Sequence, residues 1–188
     1  ACELIAQNHT RKMDVGRIKT KKHKAFYFFE LTAIGLTAAI YPDAKNISKG
    51  KLSGLKDTIS TLLKHEAKPK VTLKLDGESS IKVETLLVTV SNTPAFGLNF
   101  LVAPQASMQD GLLDVSVYPN YNKADLLVYY AKVMNEGSSE DGQIQRYRAH
   151  KLKIKSDPKL EVMADGVMLG KGTTRIQMMA GALQVIVP

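Results

Sequence analysis

With 188 residues, 44% of them hydrophobic and 23% charged, the sequence reads as an ordinary globular protein, long enough to bury a sizeable core. A formal net charge of +8 calls for an anionic partner, whether phosphate, membrane surface or nucleic acid. The single cysteine, Cys2, excludes an internal disulfide and no Cys/His spacing forms a zinc site, so a reducing compartment is the simplest reading.

The chain opens without Met and in mid-pattern, as an excised fragment would. Residues 1–8, ACELIAQN, read as the tail of a helix, and MDVGRIKT (13–20) with KAFYFFE (24–30) alternates as a pair of strands. The apolar window 26–41, FYFFELTAIGLTAAIY, carries Glu30 and falls short of a bilayer span, so it reads as core. In KLSGLKDTISTLLKHEA (51–67), Leu52, Leu55, Ile59, Leu62 and Leu63 recur at helical spacing. KVTLKLDGESSIKVETLLVTVSN (70–92) predicts strand, Asp-Gly turn, strand, strand, with Val71, Leu73 and Leu75 pointing one way.

A loop of a dozen or so residues carrying Pro and Gly then precedes strand LLDVSVY (112–118), longer than the two to five residues a turn needs. NKADLLVYYAKVMN (122–135) predicts a helix capped by Asn122, with Asp125 in its first turn. Four short strands follow, HKLKIKS, KLEVMAD, TRIQMMA and ALQVIVP, punctuated by Asp157-Pro158, Asp165-Gly166 and Gly181. Many short strands and few helices predict a mainly β (α+β) fold. The expected form is one antiparallel β-sandwich-like domain over residues 1–188, with two or three packed helices and no internal repeat.

No phosphate-binding glycine loop is present, and GKGTT (170–174) reads as a hairpin turn. His9, His23, His65 and His150 sit in lysine-rich surroundings and suggest no catalytic triad. The basic runs 9–24 and 146–156 could meet an anion, yet Lys151, Lys153 and Lys155 alternate as the solvated face of a strand also would. Nucleic acid is disfavoured: there is no Trp, and Phe26 to Phe29 read as core and not as a stacking platform. Three Asp-Gly steps remain, Asp76-Gly77, Asp110-Gly111 and Asp165-Gly166. Asp76 reads as a hairpin turn, whereas Asp110 lies in the long loop, where a carboxylate among carbonyls could hold a hard cation such as Mg²⁺.

VSNTPAFG (90–97), APQASMQDGLLDV (103–115) and the closing ADGVMLGKGTTRIQMMAGALQVIVP (164–188) resemble the C-terminal domain of the diacylglycerol kinase and sphingosine kinase family of lipid kinases. MDVGRI, FYFFELTAIGL and KGKLSGL resemble the same family upstream, in the same order. The resemblance implies a two-domain kinase that transfers the ATP γ-phosphoryl group to a lipid hydroxyl, with ATP bound by an N-terminal domain through a Gly-Gly-Asp-Gly-Thr loop absent here. This fragment alone would be inactive. It would supply the lipid cleft and part of the catalytic site, on the cytoplasmic side of an anionic membrane to which it attaches peripherally.

By the same resemblance, Asp110 would bind Mg²⁺ with the backbone carbonyls of Ser107 and Leu112, and Phe29, Ile34, Leu36, Phe96, Leu98 and Phe100 would line the lipid cleft. The family's Asp-Gly-Glu, whose Glu looks like the general base, is here Asp165-Gly166-Val167, and valine takes no proton. Asp165 could act itself, Asp76-Gly77-Glu78 could be recruited, or the chain is a lipid-binding relative whose chemistry has lapsed. A basic module for anionic lipid or nucleic acid is the non-enzyme alternative.

Overall fold

The computed structural model describes residues 2–39, 68–78, 80–97, 100–136 and 141–187. Helix α1 (Cys2–Gln7) leads into β1 (Thr10–Lys19) and β2 (Phe26–Phe28), after which the chain crosses to the second sheet as β3 (Leu31–Gly35). β4 (Lys70–Leu75), β5 (Ser80–Glu84), β6 (Leu87–Ser91), the small hairpin β7 (Ala95–Phe96) and β8 (Phe100–Leu101), and β9 (Leu113–Val117) follow. Helix α2 (Lys123–Glu136) then precedes β10 (Gln145–Ala149), β11 (Lys151–Asp157), β12 (Glu161–Ala164), β13 (Val167–Lys171) and β14 (Thr174–Ile186).

The strands form two six-stranded sheets of order β2-β1-β14-β11-β4-β5 and β10-β9-β6-β3-β12-β13, every pairing antiparallel. Period-two alternation turns Ile18, Leu73, Leu152, Ile154 and Ile176 of the first sheet onto Ile34, Val88, Val90, Val115 and Val162 of the second, all nearly inaccessible. The antiparallel sandwich anticipated from strand spacing is the observed fold.

The outer faces of the two sheets are treated differently. Over the second sheet, Leu126, Tyr129 and Val133 of α2 pack on Leu87 and Tyr118, and the rings of Tyr118, Tyr121 and Tyr129 meet edge-on at 5.6 to 5.8 Å. α2 is capped as its sequence predicts: Asn122 Oδ1 accepts the Asp125 N–H at 3.0 Å, and Asp125 Oδ2 accepts that of Asn122 at 2.8 Å. A further cluster of Leu31, Ala33, Val102 and Met163 covers the β3–β12 region. In the first sheet, Lys19, Lys74, Lys151 and Arg175 are exposed.

Several elements differ from expectation. The two last strands are one, β14, which passes Gly181 at φ 57° opposite a register shift in β1 between Met13 and Val15. β10, β13 and the β7–β8 hairpin were not anticipated; the first two are short, charged or glycine-bearing edge strands with weak alternation. The apolar run 26–35 is not continuous, because Phe28 ends one sheet and Leu31 begins the other. The helix predicted over 51–67 lies outside the described residues. No helix among the described residues is long and apolar enough to cross a membrane.

Candidate functional site

The crossover at Phe29 and Glu30 is pinned by the Asp165-Gly166 turn between β12 and β13. Asp165 stands at φ 41° and Gly166 at φ 74°, so the turn closes with the carboxylate aimed at the crossover. Asp165 Oδ2 accepts the Phe29 N–H at 2.6 Å, while Oδ1 accepts those of Glu30 and Leu31 at 3.1 and 3.0 Å. Three charge-assisted bonds commit this carboxylate to backbone, where it fixes the crossover in one geometry.

Val167 follows on the same turn and is exposed, paired with Ala164. The side chain that does carry an acid here is Glu30. Its Oε2 accepts the Gly97 N–H at 3.1 Å, and Oε1 has no partner among the described residues. Beneath it, buried Asn92 donates from Nδ2 to the carbonyls of Asp14 and Phe29 at 3.0 and 2.9 Å, and its backbone N–H bonds to the Glu30 carbonyl at 2.9 Å. The Asn92 Oδ1 is buried and unpaired among the described residues, an acceptor at the floor of this rim.

Asp14, only 3% exposed, joins the rim to the loop before β9. Its Oδ2 accepts the Gly111 N–H and its Oδ1 that of Gly181, both at 2.7 Å, and its own N–H donates to the Met108 carbonyl at 2.7 Å. The irregularity in β1 is what frees this residue to face the loop. Neither Asp14 nor Glu30 was singled out from sequence. Asp14 looked like one polar residue in a strand, and the one available signal was a carboxylate at a position where the alternation calls for an apolar side chain.

In the long loop, Asp110 Oδ1 accepts the Leu112 N–H at 3.0 Å, and Oδ2 is paired with the Arg148 guanidinium. Arg148 Nε also lies 3.4 Å from Asp114 Oδ1, and Asp114 Oδ2 is buried and unpaired among the described residues. Burial pushes the Asp114 carboxyl above its ordinary value; Arg148 pulls it down and the Asp110 charge adds to the rise. Oxygen donors of the kind a hard cation takes are present in this loop. They are the partly exposed Asp110 carboxylate and the backbone carbonyls of Ser107 and Leu112, with the Arg148 guanidinium now on Asp110 Oδ2. A cation there would take Arg148's place. Among the described residues there is no group of three or more His, Cys, Asp or Glu that could hold a metal ion.

A cavity of about 690 Å³ opens beside the loop, between Pro104, Asp114, Ser116, Asp141, Arg146 and Arg148. Its wall is mixed, with Ala103, Val115 and Ile144 beside the charged side chains, and Arg146 Nη1 donates to Ser116 Oγ at 3.1 Å. The described residues among those assigned to a lipid cleft fall in different clusters. Ile34 fills the inter-sheet core, Leu36 joins the tyrosine cluster, and Phe96 packs with Leu31 and Ala33. Phe29 is exposed at the rim. Leu98 and the Phe100 side chain lie outside the described residues. Burial of Ile34 has a plain cause, since β3 is an interior strand covered on both faces; Leu36 follows the strand, and its N–H donates to the Leu86 carbonyl at 2.9 Å. Asp76 is remote from the rim in its bonding: Oδ2 and Oδ1 accept the N–H groups of His150 and Lys151 at 3.1 and 2.6 Å, so it serves the β10–β11 corner.

Residues 33–187 match the family described as the YegS C-terminal NAD kinase beta sandwich-like domain. A protein of Mycobacterium tuberculosis named diacylglycerol kinase is 24% identical over 190 residues, a match that covers 100% of this chain and 61% of that protein. The crystal structure of a diacylglycerol kinase from Bacillus anthracis str. Sterne superposes with a TM-score of 0.64 at 22% identity, covering 100% of this chain and 58% of the other. The chain thus spans about three-fifths of the length of these relatives. With its two antiparallel sheets and the Asp165-pinned crossover at their edge, the chain belongs to the YegS C-terminal domain family, the β-sandwich domain of bacterial-type lipid kinases.

Proposed function

We propose that this chain forms the acceptor side of a kinase that moves the γ-phosphoryl group of ATP onto a lipid hydroxyl. In that reaction the acceptor O–H loses its proton, a new O–P bond forms, and the bond from the γ-phosphorus to the β,γ-bridging oxygen breaks to release ADP. ATP would be bound by polypeptide outside this chain, and Mg²⁺ would neutralise charge on the phosphates. A second Mg²⁺ would sit at Asp110 in exchange for Arg148 and brace the loop. Peripheral attachment to an anionic membrane from the cytoplasmic side belongs to the same reading.

The observation that carries the reading is the rim itself. Asp165 fixes the backbone of Phe29 to Leu31, and from that anchored backbone the Glu30 carboxylate reaches the Gly97 N–H at 3.1 Å. Asp165 is therefore a positioning residue, and Glu30 is the group proposed to take the hydroxyl proton that Val167 cannot. Positioned general bases contribute roughly 10² to 10⁴-fold.

The test uses the full-length protein with radiolabelled ATP, Mg²⁺ and a panel of diacylglycerol-like and sphingoid lipids. Phosphorylated lipid that falls at least a hundredfold with Glu30→Gln supports the assignment. Product unaffected by Glu30→Gln would sink Glu30 as base. Product only after Val167→Glu would support the second reading, a lipid-binding relative whose chemistry has lapsed, which the exposed valine at that position favours.

A further inference from the structure

The outward residues of the first sheet form rows of like charge. One row crosses four strands as Lys19, Arg175, Lys153 and Lys74, each directly opposite the next. The adjoining row is Arg17, Gln177 and Lys151. At about 4.8 Å between strands, the first row places four cations within roughly 14 Å. Cations directly opposite each other destabilise a sheet, so the arrangement costs stability in the free protein.

Among the described residues none of these six cations has a carboxylate partner, and Arg17 bonds instead to Gln177 Oε1 at 2.9 Å. The outward carboxylates Asp157 and Glu84 stand at the far corner, opposite Lys70. The aliphatic stems leave a shallow basin of about 290 Å³ between the charged heads. The other sheet covers its outer face with α2 and a third apolar cluster.

We infer that this face of the β2-β1-β14-β11-β4-β5 sheet docks on a bilayer containing anionic phospholipid. Charge complementarity selects an anionic surface. The lack of aromatic rings among the six cations selects a bilayer over single-stranded nucleic acid, whose bases need rings to stack on. The exposed aromatics lie at one border: Tyr27, 54% exposed, is paired with Arg17 on edge strand β2, and Phe29, 43% exposed, comes next on the rim. Amphipathic rings at that border suit the headgroup region. Docking on this face would bring the Asp165-pinned crossover to the membrane, where a lipid acceptor is found, and to that extent the inference rests on the proposed function.

The experiment is sedimentation of full-length protein with vesicles of phosphatidylcholine containing from none to half phosphatidylglycerol. Bound fraction should climb with the anionic share and fall with salt. Lys153→Gln with Arg175→Gln should lower partitioning roughly 25-fold, at about fivefold per cation. Lys159→Gln with Lys171→Gln, which removes equal charge away from this face, should change it less than about twofold. Equal losses in the two double variants would overturn the inference in favour of net charge alone. So would indifference to phosphatidylglycerol, or tighter retention on a single-stranded oligonucleotide than on anionic vesicles. Thermal melts of both variants verify folding, and vesicle binding is read without ATP, so an absence of kinase activity leaves this result standing on its own.

Discussion

Asp14 Oδ2 holds the amide of Gly111 at 2.7 Å across 97 residues of chain, inside a site where the carboxylate is 3% exposed. With Gly181 on its other oxygen, this one side chain ties β1, the loop before β9 and β14 together. Asp14→Ala leaves two amides without an acceptor and should cost about 3 kcal/mol or more. In a chain of this size that lowers the melting temperature by roughly 6 to 12 °C. A melt within a degree of the unsubstituted protein would show that water replaces the carboxylate.

Gly16 should tolerate no side chain. A Cβ there would lie 2.2 Å from the Cε1 and Cζ carbons of Phe28, a ring with no accessible surface. Overpacking predicts a loss of about 1 to 3 kcal/mol for Gly16→Ala. Part of the loss should return in the double variant with Phe28→Leu, as denaturant melts would reveal; strict additivity of the two changes would contradict the contact.

The pH dependence of stability should carry the mark of Asp114. Burial raises its folded-state pKa above 3.8, so the native protein binds the proton more tightly than the unfolded chain does. The sign is then fixed: this group favours the fold at low pH, and that contribution is lost as pH rises through the raised value. Asp114→Asn should flatten that part of the curve while Arg148 keeps its pairing with Asp110. Denaturant titrations from pH 3 to 7 that keep the original slope in the variant would refute this assignment.

Arg148 and Mg²⁺ should compete for Asp110. Millimolar Mg²⁺ is expected to move the melt of the unsubstituted protein little and that of Arg148→Ala by several degrees. A site filled to a hundred times its Kd contributes about 2.7 kcal/mol. The double variant Asp110→Ala with Arg148→Ala should lose the response. Equal shifts in all three proteins would place the ion elsewhere.

Much of the fold was legible because its signals are local. Val71, Leu73 and Leu75 alternate in sequence and line the core, and Asn122 and Asp125 cap α2 within one turn of each other. The Asp-Gly steps were legible as turns for the same reason, since Asp76 and Asp165 take positive φ beside their glycines. Edge strands β10 and β13 were hidden, because an edge needs only one buried face and tolerates charge.

The sequence by itself determined the sandwich class and the cationic excess, both of them properties of composition or period. Only the tertiary structure decided what the carboxylates do. Asp14, Asp76 and Asp165 each hold backbone amides distant in sequence, while Glu30 holds the Gly97 amide through Oε2 and its Oε1 has no partner among the described residues. It also decided that scattered lysines form one face, because cross-strand register gathers Lys19, Arg175, Lys153 and Lys74 into a row. A side chain's partners depend on strand register and on where the chain crosses between sheets, and both are set by packing between segments that no local spacing records.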